Sequence, residues 1–295
     1  MPGHDDIRLG TIVFAESAAA TIRQIARYGF ESFQLTFGNQ VGDHDLAKLA
    51  LEVRESLMQV EGRPVVSALG VYGNPLIDEQ VARDFARLID GAAGFGCDVV
   101  SGFAGRLPDE PIDASLPRFA EVFAPLAARA ADRGVRIAFE NCAMEGSWQR
   151  GDRNIALSPA AWEKMFDAVP SEAVGLEWEP CHQLVQLIDP LPQLRRWVDK
   201  VFHVHGKDAT VLWDVVRESG IGGSATFAHH RTPGFGDTNW TDVISTLRMG
   251  GYQGAIDIEG WHDPVYHGDL EMTGQVRALR YLQECRGGDY VPNPT

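Results

Sequence analysis

Short apolar, strand-like runs alternate with longer helix-like stretches from one end of the chain to the other. The runs are rich in β-branched and aromatic residues, and the stretches between them carry apolar residues at helical spacing. Eight such runs lie at 9–14, 32–37, 64–72, 98–103, 135–141, 173–180, 200–208 and 255–260. Helices are predicted over 17–29, 45–60, 78–96, 115–133, 158–169, 190–200, 238–251 and 270–284, with a long loop before the seventh.

Strict strand–helix alternation predicts an α/β fold with a parallel sheet. Two architectures fit, a closed (β/α)8 TIM barrel and an open doubly wound sheet. The first strand leads into LGTIVFAES, which lacks the GxGxxG fingerprint of a dinucleotide-binding sheet. Eight units in 295 residues, 44% of them hydrophobic, favour the barrel, formed as a single domain over 1–295.

Charge and cysteine content exclude several kinds of partner and site. Lys and Arg number 26 and Asp and Glu 41, a formal charge of −15, so nucleic acid is not an expected partner. No apolar stretch is long enough to span a bilayer, and MPGHDDIRLG has no secretion signal, so we expect a cytoplasmic protein without a membrane partner. The cysteines form no CxxC pair, which argues against a disulfide framework; they are Cys97, Cys142, Cys181 and Cys285.

Acidic and imidazole side chains stand at the ends of the last four predicted strands. Glu140, Glu179 and Glu259 end the fifth, sixth and eighth strands, and the seventh carries His203 and His205. In a barrel these C-terminal ends lie side by side at the face where active sites form. Three converging carboxylates repel one another unless a cation lies between them. Oxygen ligands with one imidazole predict one divalent ion, such as Mn²⁺, Mg²⁺, Co²⁺ or Fe²⁺.

Glu177 lies two residues before Glu179, so strand alternation sends both side chains to the same face. A carboxylate that deep in a barrel needs a partner. We expect an Arg or Lys in the barrel interior, with orientation of a metal ligand as the alternative.

Five segments resemble the sugar phosphate isomerase/epimerase superfamily, which has a xylose-isomerase-like barrel. They are ENCAMEG, GLEWEPCHQ, FHVHGKD, RTPGFGDTNW and DIEGWHDP. Relatives include ketose 3-epimerases, inosose dehydratases and hydroxypyruvate isomerases. The resemblance implies a metal held by Glu140, Glu179, His205 and Glu259. Mn²⁺ is preferred, with Mg²⁺, Co²⁺, Fe²⁺ and Zn²⁺ as alternatives. The family usually has Asp where Glu179 stands, so the ligand geometry is expected to differ there.

The resemblance also implies a small sugar as substrate. His182 matches a family histidine that contacts substrate hydroxyls. Tryptophan faces stack on sugar rings, and charged side chains bond hydroxyls. The loops after the strands therefore offer further substrate-binding candidates: Glu145, Trp148, Lys207, Arg231 and Trp261. A homo-oligomer is a further expectation.

The implied reaction is isomerisation or epimerisation of a ketose or keto-sugar. Glu140 and Glu259 would remove and return a proton next to the carbonyl through a cis-enediolate. The same site in a lyase or dehydratase would act on an inosose or a 3-keto-glycoside. Two further alternatives are an endonuclease for damaged DNA, which needs a multinuclear cluster and a basic face, and a non-catalytic sugar-binding protein.

Overall fold

The computed structural model describes residues 4 and 6–294. Residues 1–3 and 5, which are part of the opening stretch considered for a secretion signal, lie outside the described residues. Eight of the described strands close a barrel in the order β1-β10-β7-β6-β5-β4-β3-β2. This confirms the predicted (β/α)8 TIM barrel. Its strands are β1 Arg8–Phe14, β2 Ser32–Thr36, β3 Val65–Val71, β4 Val99–Gly102, β5 Arg136–Glu140, β6 Val174–Trp178, β7 Val201–Gly206 and β10 Ala255–Ile258.

Helices follow the strands as the sequence pattern predicts. Asp45 begins α2 by accepting hydrogen bonds from the backbone N–H groups of Ala47 and Lys48, and Gly96 ends α3 in the left-handed conformation with φ of 72°. The helices are α1 Ala18–Ile25, α2 Leu46–Met58, α3 Glu79–Phe95, α4 Ile112–Asp132, α5 Pro159–Ala168, α6 Cys181–Leu184, α7 Pro190–Trp197, α8 Trp213–Ser219, α9 Trp240–Met249 and α10 Glu271–Arg286.

The predicted long loop before α9 contains regular structure. β8 (Asp208–Val211) pairs antiparallel with β9 (Ala228–Arg231), and α8 lies between them. The predicted strand 200–208 is therefore two strands, because β7 ends at Gly206 and β8 begins at Asp208. β9 has the sequence AHHR, which lacks the β-branched and aromatic residues that mark the predicted strands.

The chain separates into two compact units, one of residues 1–11, 179–199 and 205–295, the other of residues 12–178 and 200–204. The first unit buries Trp240, Leu247 and Leu279. The second contains a chain of aromatic contacts in which Phe123 packs edge-on against Phe85 at 5.3 Å and Phe139 at 4.8 Å. Such pairs contribute about 1 kcal/mol each beyond area burial. A single domain over 1–295 remains a prediction.

Within residues 4 and 6–294, none of the helices has the length and apolarity needed to cross a bilayer.

Candidate metal centre

Three predicted ligands stand at strand ends in the first unit. Glu179 directly follows β6, His205 lies in β7, and Glu259 directly follows β10. The backbone N–H of Glu259 donates to the carbonyl of Gly206 at 3.2 Å, which holds the end of β10 beside β7. All three side chains are buried, at 0%, 2% and 6% exposure. Isolated buried carboxylates are costly, so this arrangement needs compensating charge.

Glu179, His205 and Glu259 each offer one ligand atom, and these atoms all lie within 4.8 Å of one another. The structure thus brings together three of the four side chains that the sequence predicted as metal ligands. Glu140, at the end of β5 in the second unit, remains a predicted fourth ligand, and coordination itself remains a prediction. Three carboxylates and one imidazole match the donor preferences of Mn²⁺, Mg²⁺ and related divalent ions.

The two oxygens of Glu259 have different surroundings. Oε1 lies 2.9 Å from Nζ of Lys207 and 3.0 Å from Nε2 of His262. Oε2 faces Nδ1 of His205 at 3.4 Å and makes no hydrogen bond to any residue within the described part of the chain. A buried carboxylate oxygen normally has a partner. The lone pairs of Oε2 accept no hydrogen bond from the described residues, so this buried oxygen suits a cation that His205 would also bind.

Lys207 is the charged neighbour that decides the protonation of Glu259. Its side chain is only 3% exposed. Burial acts to raise the pKa of Glu259, but the charge of Lys207 and then the hydrogen bond from His262 hold that pKa well below its usual range. Glu259 is therefore a carboxylate at neutral pH.

His182 lies where the sequence places it, at the start of the short helix after β6. Its Nε2 is 2.7 Å from Oε1 of Glu179 and 3.4 Å from Nζ of Lys207. Burial, and next the charge of Lys207, lower the pKa of His182 well below its usual range. The ring is thus neutral, and a neutral imidazole can both donate to and accept from a hydroxyl.

His230 joins this group from a segment that the sequence pattern predicts as a loop. It lies on β9 opposite Ala209, and its ring packs edge-on against His182 at 5.2 Å and His262 at 5.8 Å. Burial, and then the charges of Lys207 and His262, lower its pKa to about 4. The available signal was the pair of histidines before Arg231, but their strand was not recognised.

Glu177 anchors a polar network inside the second unit. Its Oε1 accepts from Nε2 of Gln34 at 2.8 Å and lies 3.0 Å from Nδ1 of His203, and its Oε2 accepts from the hydroxyl of Tyr72 at 2.7 Å. Strand register sets Glu177 between Glu140 on β5 and His203 on β7. These contacts are with an amide, an imidazole and a phenol, and the expected pairing of Glu177 with an Arg or Lys remains a prediction.

Arg231 is tied to the loop after β10. Its Nε donates to Oδ2 of Asp263 at 3.0 Å, and the same oxygen accepts the backbone N–H of Thr232 at 2.9 Å. The side chain is 20% exposed. Arg231 therefore joins the end of β9 to the loop that follows β10. Contact between its remaining N–H groups and a substrate stays a prediction.

The other predicted substrate residues lie in the loops that follow β5 and β10. Glu145 is exposed in a turn with φ of 61°, and Trp148 donates from Nε1 to Oδ2 of Asp113 at 3.3 Å. Trp261 is half-buried, with its ring 5.8 Å from that of His262. Their contacts with a sugar remain predictions.

Comparison with known proteins supports the fold. The inosose dehydratase of Clostridium tetani (strain Massachusetts / E88) is 26% identical over 127 residues, which are 41% of this chain and 41% of that protein. The matched region thus spans less than half of that relative's length.

Two crystal structures share the fold over almost the whole chain. That of 3-keto-D-glucoside 4-epimerase from E. coli, in its apo form, has a TM-score of 0.69 and 17% identity, covering 95% of this chain and 100% of that chain. That of the IOLI protein, with a bound zinc atom, has a TM-score of 0.64 and 15% identity, covering 95% of this chain and 96% of that chain. At such identities these likenesses show the fold alone.

A family model described as a xylose isomerase-like TIM barrel matches residues 22–285. The match begins inside α1 and ends inside α10. Because it takes in nearly all of the barrel, this chain belongs to the xylose isomerase-like TIM-barrel family.

Proposed function

We propose that this chain is a divalent-metal-dependent isomerase or epimerase of a ketose or keto-sugar that removes a proton next to the carbonyl and passes through a cis-enediolate. The observation that carries this proposal is the group of two buried glutamates and one histidine, Glu179, Glu259 and His205, whose ligand atoms lie within 4.8 Å of one another. Mn²⁺ is the ion we favour, held by Glu140, Glu179, His205 and Glu259.

When bound, the divalent ion would supply Lewis-acid polarisation of the substrate carbonyl, which acidifies the neighbouring C–H. The chain's own groups do the remaining work. Glu259 is a carboxylate at neutral pH, so it starts as the base and takes the proton from carbon. Glu140 would enter the cycle protonated and give its own proton to the opposite face of that carbon, and water would then carry the proton from Glu259 back to Glu140. Neutral His182 and the ammonium of Lys207 hold the hydroxyl oxygens that flank the reacting carbon.

The proposal is tested by proton exchange in deuterated water. Purified protein reconstituted with Mn²⁺ is incubated with a panel of ketoses and keto-sugars, and deuterium at the carbon next to the carbonyl is measured by NMR and mass spectrometry. We expect exchange and a second epimer or isomer without mass loss, and no exchange after EDTA treatment. A panel without any metal-dependent exchange would contradict the proposal.

A dehydratase is the second candidate, because the curated relatives matched over part of the chain are named inosose dehydratases. The same proton removal would then be followed by loss of a β-hydroxyl from an inosose, or of the glycosidic oxygen from a 3-keto-glycoside. The two candidates differ in their products. Loss of one water or of the aglycone favours the lyase, and conservation of mass favours the isomerase.

A further inference from the structure

A cavity of about 410 Å³ opens among the loops that follow β2, β3, β4 and β5, all within the second unit. Pockets of this volume lie within the usual range for small-molecule sites. Because it follows the C-terminal ends of barrel strands, it lies on the face where barrel enzymes bind their substrates. Its lining includes Asn39, Tyr72, Ile77, Phe103, Asp152 and Arg153.

The lining combines two aromatic rings with polar groups at the rim. The rings of Tyr72 and Phe103 pack edge-on with centroids 5.4 Å apart, and Phe103 is 4% exposed. Asn39, Asp152 and Arg153 are exposed at the edge. A sugar ring has one apolar face of C–H groups and a perimeter of hydroxyls, so an aromatic wall with an amide, carboxylate and guanidinium rim suits it.

Tyr72 connects this cavity to the glutamates. Its hydroxyl donates to Oε2 of Glu177 at 2.7 Å. Burial, and then the charges of Glu177 and Glu140, raise the pKa of Tyr72 well above its usual range. Glu177 pairs in register with Glu140 on the neighbouring strand β5, so the carboxylate that accepts from the Tyr72 phenol lies one strand away from Glu140. A ligand in the cavity would lie beside a proposed acid–base residue.

A larger cavity of about 840 Å³ does not offer a comparable site. It is lined by charged groups along α3 and α4 that already neutralise one another, such as Arg129 with Asp90 at 2.5 Å. Arg87, also in that lining, is paired with Asp84 at 2.9 Å. These side chains are committed to ion pairs across the helix surface.

We propose that the cavity behind Tyr72 is a second-ring subsite, so that the substrate is a neutral keto-disaccharide whose far ring lies against Tyr72 and Phe103. This inference rests on the proposed function, because the near ring is the one that reacts beside Glu140. A free keto-monosaccharide would leave the cavity to water and lose the contacts of the far ring.

The test compares a 3-keto-disaccharide of two glucose units with 3-keto-glucose, using the Mn²⁺-loaded protein. We expect kcat/KM for the disaccharide to be about tenfold higher or more, which corresponds to about 1.4 kcal/mol of extra binding. Ile77→Arg introduces a long charged side chain from an exposed position in the lining, 56% exposed. It should lower the disaccharide-to-monosaccharide ratio about tenfold.

Ile221→Arg is the matched control, since Ile221 is 61% exposed and lies outside the lining of this cavity. It should leave the ratio as in the wild type. Both variants should melt within a few degrees of the wild type. An Ile77→Arg ratio equal to that of Ile221→Arg would overturn the subsite.

A binding measurement separates failure of the subsite from failure of the proposed reaction. Saturation-transfer NMR with unreactive cellobiose and glucose needs no turnover. We expect transfer to both rings of cellobiose in the wild type and in Ile221→Arg, and reduced transfer to one ring in Ile77→Arg. If no keto-sugar reacts but this pattern is found, the subsite stands without the proposed chemistry. If both rings respond equally in all three proteins, the subsite is wrong.

Discussion

The ammonium of Lys207 lies 2.9 Å from Oε1 of Glu259, and both side chains are almost completely buried. A buried ion pair is costly to assemble, and removing one partner is costlier because it leaves an uncompensated charge. Here the pairing also gives the two carboxylate oxygens separate tasks, because Lys207 and His262 engage Oε1 while Oε2 faces His205. The lysine therefore fixes both the charge and the orientation of Glu259.

Lys207→Met should destabilise the metal-free protein by about 3 kcal/mol, because it leaves the carboxylate of Glu259 buried without its ammonium. Urea unfolding in EDTA measures this loss. With Mn²⁺ present the loss should shrink, since a divalent cation beside Oε2 compensates the same charge.

Lys200→Met provides the control for Lys207→Met. Lys200 reaches Glu172 at 3.5 Å, but the glutamate side chain is fully exposed, and such surface pairs contribute about 0–1 kcal/mol. Equal losses for the two variants would show that the Lys207–Glu259 contact does not compensate a buried charge.

The barrel was predictable from the sequence because each strand and helix carries its own local pattern, and the strand-end positions of Glu140, Glu179, His205 and Glu259 follow from that pattern. Contacts between distant loops were not predictable in the same way. The packing of His230 on two other imidazoles depends on the β8–β9 pairing, and β9 (AHHR) has none of the β-branched or aromatic residues that indicate a strand.

The surroundings of Glu177 show the same limit. Sequence indicates that a buried carboxylate needs a partner, and it does not indicate which of the inward-facing side chains on other strands supplies it. Gln34 lies 143 residues away in the chain and Tyr72 lies 105 away. Only the register of the closed sheet brings them together.

Glu179→Ala should weaken Mn²⁺ binding by about tenfold or more, because it removes a carboxylate from the group of Glu179, His205 and Glu259. Metal content after dialysis and titration calorimetry measure the effect. Glu172→Ala is the control, since it removes an equal charge from a fully exposed position. Unchanged Mn²⁺ affinity in Glu179→Ala would mean that this side chain is not a ligand.

His230→Phe should raise KM for the sugar about tenfold with a smaller effect on kcat, because it keeps the ring packing against His182 but removes the groups that bond hydroxyls. His229→Phe is the matched control, since the neighbouring residue of β9 points to the opposite face of the strand. An equal rise of KM in both variants would mean that a change in the β8–β9 pair, and not the loss of the His230 imidazole, causes the effect.

Asp208 links stability to pH through a buried carboxylate at the start of β8. It accepts hydrogen bonds from the hydroxyl of Thr238 at 2.6 Å and from Nε1 of Trp240 at 3.1 Å, yet burial outweighs these bonds and raises its pKa from 3.8 to about 6. The folded state then binds the proton more tightly than the unfolded state does. The contribution of Asp208 to stability is therefore greatest below pH 4 and falls as pH rises to about 6.

The variant Asp208→Asn isolates this effect, because the amide does not titrate while its carbonyl oxygen can still accept from Thr238. Urea unfolding of the metal-free proteins at several pH values between 4.5 and 7 gives the difference in unfolding free energy, wild type minus variant. That difference should fall with rising pH by about 2 kcal/mol, given 1.36 kcal/mol per unit of pKa. His230 acts in the opposite direction, since its pKa of about 4 makes stability rise over the same range, but it is present in both proteins and cancels in the difference. A difference that stays flat or rises between pH 4.5 and 6 would mean that Asp208 is ionised throughout, with its four hydrogen bonds outweighing burial.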